Sequence, residues 1–80
     1  MAEYAYTVVF EPDPDAGGYV ATVPALGIAT QGETLEEARQ MAQEAISGFL
    51  EGLLQEGQPI PKEPDQLAEQ IRTELVAVTV

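Results

Sequence analysis

Carboxylates are the side chains with the means to do chemistry in this chain, and three of them crowd one short stretch. Glu11, Asp13 and Asp15 alternate with Pro12 and Pro14 and run into Gly17. Three acids over five positions could hold a divalent cation through oxygen ligands, but the stretch lacks the loop length, glycine position and terminal bidentate glutamate of an EF-hand. Asp and Pro are ordinary turn formers, so a solvated turn is the expectation and no metal site is assigned. A glycosidase-like carboxylate pair would need a cleft deep enough for a sugar, and 80 residues in two layers leave little room for one. Ser47 is the sole serine, falls mid-helix, and has no histidine anywhere in the chain to activate it. The absence of cysteine excludes disulfides and thiolate metal sites. Tyr4, Tyr6 and Tyr19 fall at strand positions and read as core or interface rings rather than base-stacking platforms. Gly17-Gly18 lacks the spacing and the downstream lysine of a phosphate cradle. No catalytic residue and no cofactor is expected.

The formal net charge is −11, from 14 acidic residues against Arg39, Lys62 and Arg72. Nucleic-acid affinity depends on Lys and Arg displacing counterions, so direct binding of DNA or RNA is not expected. The charge keeps a small protein soluble, and it also suits a basic partner. No run of 18 apolar residues predicts a membrane span. No basic segment followed by an apolar stretch marks a signal peptide, so a cytoplasmic protein is expected. A chain of 80 residues makes one domain with a thin core, worth about 4–12 kcal/mol in total stability.

The elements that must position these residues can be read from periodicity. Residues 4–10 place Tyr4, Tyr6, Val8 and Phe10 on one face and Ala5, Thr7 and Val9 on the other, a strand pattern. Residues 11–17 are turn chemistry, and residues 18–23 form a second strand ended by Pro24. Residues 26–31 are weakly patterned and taken as a third strand. Thr34 is a natural N-cap, and Glu37 completes an S/T-x-x-E box by reaching back to the cap's own amide. Leu35, Ala38, Ala42, Ala45, Ile46, Phe49 and Leu53 form one apolar stripe. Gly57 suits the position just past the helix end, so the helix should cover residues 35–56.

Gly48 and Gly52 sit inside that helix, where each costs about 1 kcal/mol relative to alanine. Two readings stand: close approach of the helix to its own sheet, which the pattern favours, or a groove for another chain. Residues 58–64, with Pro59, Pro61 and Pro64, are an extended linker. Asp65 caps a short helical turn through Ile71 in this reading. The C-terminal segment 65–80 ends in a β-prone run from Glu74 to Val80, too hydrophobic to be left unpaired. The expected architecture is α+β, two layers in the order β-β-β-α-β, with one long helix on a mostly antiparallel sheet. The whole chain, 1–80, makes one domain with residues 4–57 as its β-β-β-α core.

Residues 10–38 resemble a family signature: an aromatic strand end, an acidic-proline turn, Gly17-Gly18-Tyr19, a strand ending at Pro24, then Thr30-Gln31-Gly32-Glu33-Thr34-Leu35-Glu36-Glu37-Ala38. Pro59-Ile60-Pro61 extends the likeness to about residue 64. The pattern is similar to the HicB-like antitoxins. That resemblance implies a fold described as a partly degraded ribonuclease-H-like domain and a non-enzymatic role in which a small basic HicA-like, mRNA-cleaving toxin is neutralised by masking. Pro24-Ala25-Leu26-Gly27 is shorter and less acidic than the family's usual Pro-Asp-Leu-Pro-Gly turn. Residues 65–80 carry a single basic side chain, Arg72, so the DNA-binding module found in many members is not expected here.

Two sets of contact residues follow. Glu11, Asp13, Asp15, Gly48 and Gly52 are candidates for contact with a partner. Leu75, Val76, Val78 and Val80 are candidates for contact within a homo-oligomer, most simply a two-fold dimer. One helix covers one face of the sheet, and the other face keeps apolar residues. The alternative to an antitoxin is a standalone oligomeric binding or structural domain with no toxin partner.

Overall fold

The computed structural model describes residues 2–62 and 73–80. Within these residues four strands and one helix follow one another as β1 (Glu3–Pro12), β2 (Tyr19–Val23), β3 (Ile28–Gly32), α1 (Leu35–Gln55) and β4 (Thr73–Thr79). The strands form one sheet in the order β3-β2-β1-β4, with every neighbouring pair antiparallel. This is the β-β-β-α-β, α+β arrangement the periodicity predicts, with one helix packed on the sheet.

The register explains which residues become core. Phe10 stands opposite Ala21, and Tyr4 and Tyr6 stand opposite Val78 and Val76. Side chains alternate along a strand, so Tyr6, Val8, Phe10, Ala21, Val23, Val76 and Val78 share one face and are buried together. From the helix, Ala38, Ala42, Ile46 and Leu50 meet them, all at 0% exposure. Small residues in the first turns let α1 lie close to the sheet, and Ile46 and Leu50 fill the wider space further along. The helix stripe therefore differs from expectation in one place. Leu50 is fully buried while Phe49 is 36% exposed, because the buried line advances strictly by four residues from Ala38.

Turn chemistry sets the boundaries. β1 extends beyond residues 4–10 at both ends, since Glu3 pairs with Thr79 and Pro12 with Tyr19. β3 begins at Ile28 rather than residue 26, because Leu26 and Gly27 donate their amides to the Val23 carbonyl (3.1 and 2.9 Å) and so belong to the turn. At the helix start, the Glu37 amide donates to Thr34 Oγ1 (3.0 Å). The Glu37 carboxylate accepts from the Glu33 amide (2.5 Å), one residue before the predicted cap amide. The helix ends at Gln55 with Glu56 as C-cap. Gly57 takes φ +71°, and the Gln58 amide returns to the Leu53 carbonyl (2.9 Å), closing a Schellman motif.

Residues 58–62 run back along the first strand, and the Tyr6 hydroxyl donates to the Pro61 carbonyl (2.5 Å). The helical turn predicted over 65–71 lies outside the described residues. β4 pairs with β1 of its own chain along its full length, and Val80 and Ala2 exchange both backbone hydrogen bonds (2.7 and 2.9 Å).

Candidate functional site

The acidic hairpin tip is built as a turn. Asp13 Oδ1 accepts from the amides of Asp15 (3.0 Å) and Ala16 (3.2 Å), an Asx-type turn. Its main chain closes the loop through Asp13 N to Gly18 O (3.0 Å) and Gly17 N to Asp13 O (2.9 Å). Glu11 and Asp15 are exposed, and Asp13 is half-buried. Among the described residues no three acidic side chains converge as metal ligands would. The tip is thus a hydrogen-bonded turn carrying negative charge, with Asp13 accepting the bonds that shape it.

The signature glycines have a packing reason. Gly18 has φ +74°, and a Cβ on it would sit 2.4 Å from the Gly32 carbonyl oxygen. A Cβ on Gly32 would fall 2.5 Å from the Ala38 amide nitrogen. The strand pair and the first turn of α1 therefore touch backbone to backbone, which only glycine permits. These contacts join the hairpin, β3 and the capping box into one unit.

Gly48 and Gly52 behave differently, and here the favoured expectation is corrected. A Cβ at either position meets nothing within 4 Å. They do not bring α1 close to its own sheet, whose near residues are Ala38, Ala42, Ile46 and Leu50. Gly48 instead lines an open trough of about 630 Å³ between α1 and β4. Gln43, Glu44, Ser47 and Glu51 form the helix side, and Ala77 and Thr79 the strand side. Gln43 Nε2 donates to the Ala77 carbonyl (3.3 Å) across it. Gly52 is half-buried beside this region but does not line it.

One end of the helix–strand seam is closed by a fork of charge. Arg39 donates through Nε and Nη2 to the two carboxylate oxygens of Glu74 (2.6 and 2.5 Å). The hydrogen bond to Glu74 raises the guanidinium pKa above its ordinary value, with burial opposing and the charges of Glu74 and Glu36 adding to the rise. Sequence reasoning missed this pair. The only hint was that one of three basic residues sits on the otherwise acidic helix. With Arg39 engaged, the exposed side of α1 presents Glu36, Glu37, Glu44 and Glu51, with Glu56 at its C-cap.

The four oligomer-contact candidates separate by face. Val76 and Val78 point at α1 and are buried, and Val80 is half-buried beside Ala2. Leu75 points the other way and is 69% exposed. It shares the opposite sheet face with Ala5, Thr7, Val9, Val20, Thr22 and Ala77, as the register requires. Among the described residues no element covers that face.

Comparison with known proteins fits this geometry. The model of a family described as the HicB-like antitoxin of bacterial toxin–antitoxin systems matches residues 6–77. The chain belongs to this family. The match takes in the signature glycines, the capping box and most of β4. The chain is similar to UPF0150 protein ssr1765 of Synechocystis sp., 51% identical over 61 residues, covering 75% of this chain and 76% of that protein. It is also similar to UPF0150 protein Ta0767 of Thermoplasma acidophilum, 44% identical over 59 residues, covering 72% and 84%. A 14.9 kDa protein from the rep-hol intergenic region of Haemophilus phage HP1 is 46% identical over 46 residues, covering 56% of this chain and 35% of that protein. No helix among the described residues is long and apolar enough to cross a membrane.

Proposed function

We propose that this protein is a non-enzymatic, cytoplasmic antitoxin that binds and neutralises a small basic HicA-like, mRNA-cleaving toxin. The observation that carries the reading is family membership across residues 6–77. A net charge of −11 supports it, because an acidic surface speeds encounter with a cationic partner and repels the nucleic acid that partner acts on. Glu11, Asp13 and Asp15 on the hairpin tip and Gly48 and Gly52 on α1 remain the candidate contacts. A non-enzymatic role fits a chain with neither histidine nor cysteine, and with a core face of β1 and β2 that is apolar rather than acidic.

The test is rescue of growth. Where the neighbouring gene encodes a small basic protein, its expression should arrest cells, and expression of this chain should restore them and co-purify with it; an isolated gene counts against the reading. Arrest that persists, with no complex recovered, sinks the reading. Ribonuclease assays with Mg²⁺ or Mn²⁺ check the non-enzymatic part: turnover that disappears in Asp13→Asn or Glu11→Gln would show an enzyme.

One observation favours a second reading. The sheet face opposite α1, which no described element covers, has Leu75 69% exposed with Ala5, Val20 and Ala77 around it and Val9 buried at 8%, and is a surface on which a second copy would pack. On this reading the protein is a homo-oligomer, with or without a toxin, joined through that face. Sedimentation at micromolar concentration separates the cases: a dimer that Leu75→Glu dissolves supports the interface, and a stable monomer rejects it.

A further inference from the structure

We propose that the outer edge of β4, with the trough between it and α1, is a docking groove for an extended segment of a basic protein, which adds to the sheet as a fifth strand. The inference rests on the antitoxin reading and states where and how the partner binds.

The main chain supplies the first argument. Ala2 and Val80 exchange both backbone hydrogen bonds. Antiparallel pairs alternate between bonded and non-bonded positions, so Tyr4–Val78 and Tyr6–Val76 are bonded pairs. The amides and carbonyls of Leu75, Ala77 and Thr79 therefore point away from β1. Among the described residues no strand pairs with them, and β4 is the last strand in the sheet order. Proteins usually guard such an edge with lysine, proline or a bulge. The seven residues of β4, Thr-Glu-Leu-Val-Ala-Val-Thr, contain neither lysine nor proline and pair with β1 in unbroken register. Among the described residues, the Gln43 side chain meets this edge at the Ala77 carbonyl, at 3.3 Å, a long bond that an incoming amide can replace.

Space and charge supply the second argument. Side chains of an added strand would alternate between the α1 side and the open sheet face. On the α1 side they would enter the trough, where Gly48 leaves room and Glu44 and Glu51 supply negative charge with no basic residue among the lining. On the open side they would lie beside Leu75. The occupant is thus a strand of about five residues with Lys or Arg at alternate positions and apolar side chains between them. A second copy of β4 fits poorly, since its charged side chain is Glu74 and its own trough would bring Glu44 and Glu51 toward their counterparts.

The experiment uses the full chain, isotope-labelled, with a small basic HicA-like protein as probe. Amide hydrogen exchange should slow at Leu75, Ala77 and Thr79 on binding, by at least about tenfold. Gly48→Arg fills the trough and offsets part of its negative charge without touching the core, and Ala77→Pro removes an outward amide at an edge position where proline is tolerated. Each should weaken binding at least about tenfold, whereas Ala29→Arg, exposed on β3 at the far edge of the sheet, should bind like the wild type. Circular dichroism verifies the fold, and if Ala77→Pro does not fold, Gly48→Arg and the exchange data decide. Wild-type binding with unprotected edge amides and unaffected variants overturns the groove and leaves the antitoxin reading standing. No binding by the wild type overturns both. A free wild-type dimer that Ala77→Pro converts to monomer assigns the edge to self-pairing and also overturns the proposal.

Discussion

Gly18 and Gly32 differ in kind from Gly48 and Gly52, and the difference is measurable. At Gly18 and Gly32 a methyl group would meet backbone atoms at 2.4 and 2.5 Å, and backbone in a sheet or a helix start cannot move aside cheaply. Gly18→Ala or Gly32→Ala should each cost about 3 kcal/mol, a large share of the stability of so small a domain. Gly48→Ala and Gly52→Ala meet open space and should each add about 1 kcal/mol from helix propensity alone. Urea denaturation of the four variants checks both signs, and equal destabilisation by all four would refute the distinction. Tyr6→Phe removes the hydroxyl that holds the Pro61 carbonyl and should cost about 1 kcal/mol, with the ring still buried.

At the scale of elements, local chemistry was legible and tertiary partners were not. Thr34, Glu37 and Gly57 marked the helix because caps act within a few residues, and the alternation over residues 4–10 marked β1 for the same reason. The Glu37 carboxylate missed its predicted amide by one residue, since loop geometry before the cap decides which N–H faces it. Leu50 and Phe49 are equally apolar neighbours, and only the position of the sheet decides which is buried. The Arg39–Glu74 fork joins residues 35 positions apart, and the trough exists only once β4 lies beside α1. Neither has a signature in sequence. The fork ties β4 to the helix, so Arg39→Ala should loosen β4 more than α1, seen as faster amide exchange in residues 73–80. Because the raised guanidinium pKa lies in strong alkali, the contribution of Arg39 is present throughout the neutral range and is lost only as pH rises through that value. Deleting residues 74–80 would strip β1 of one of its two partner strands and uncover Tyr6 and Val8, and the expected outcome is aggregation, read by light scattering.

For the whole molecule the decisive quantity is charge over a small body. The chain measures 39 × 24 × 17 Å and carries a net charge of −11. At about 0.01 M salt the Debye length is about 30 Å, close to the long dimension, so the hairpin tip and the glutamates of α1 attract a basic partner together. At about 1 M it shrinks to about 3 Å, and only groups already in contact still interact. Steering acts on encounter, whereas a strand bonded to the β4 edge and packed over the trough resists departure by hydrogen bonding and burial. The association rate with the basic partner should therefore fall by about 10- to 1000-fold across that salt range, while the dissociation rate changes far less. Glu44→Gln with Glu51→Gln should flatten the salt dependence only slightly, since two charges of fourteen are removed from the long-range field. The same pair should raise the dissociation rate, because both side chains line the trough. Stopped-flow kinetics at several salt concentrations measures all of these. An association rate insensitive to salt would mean that the acidity serves solubility alone.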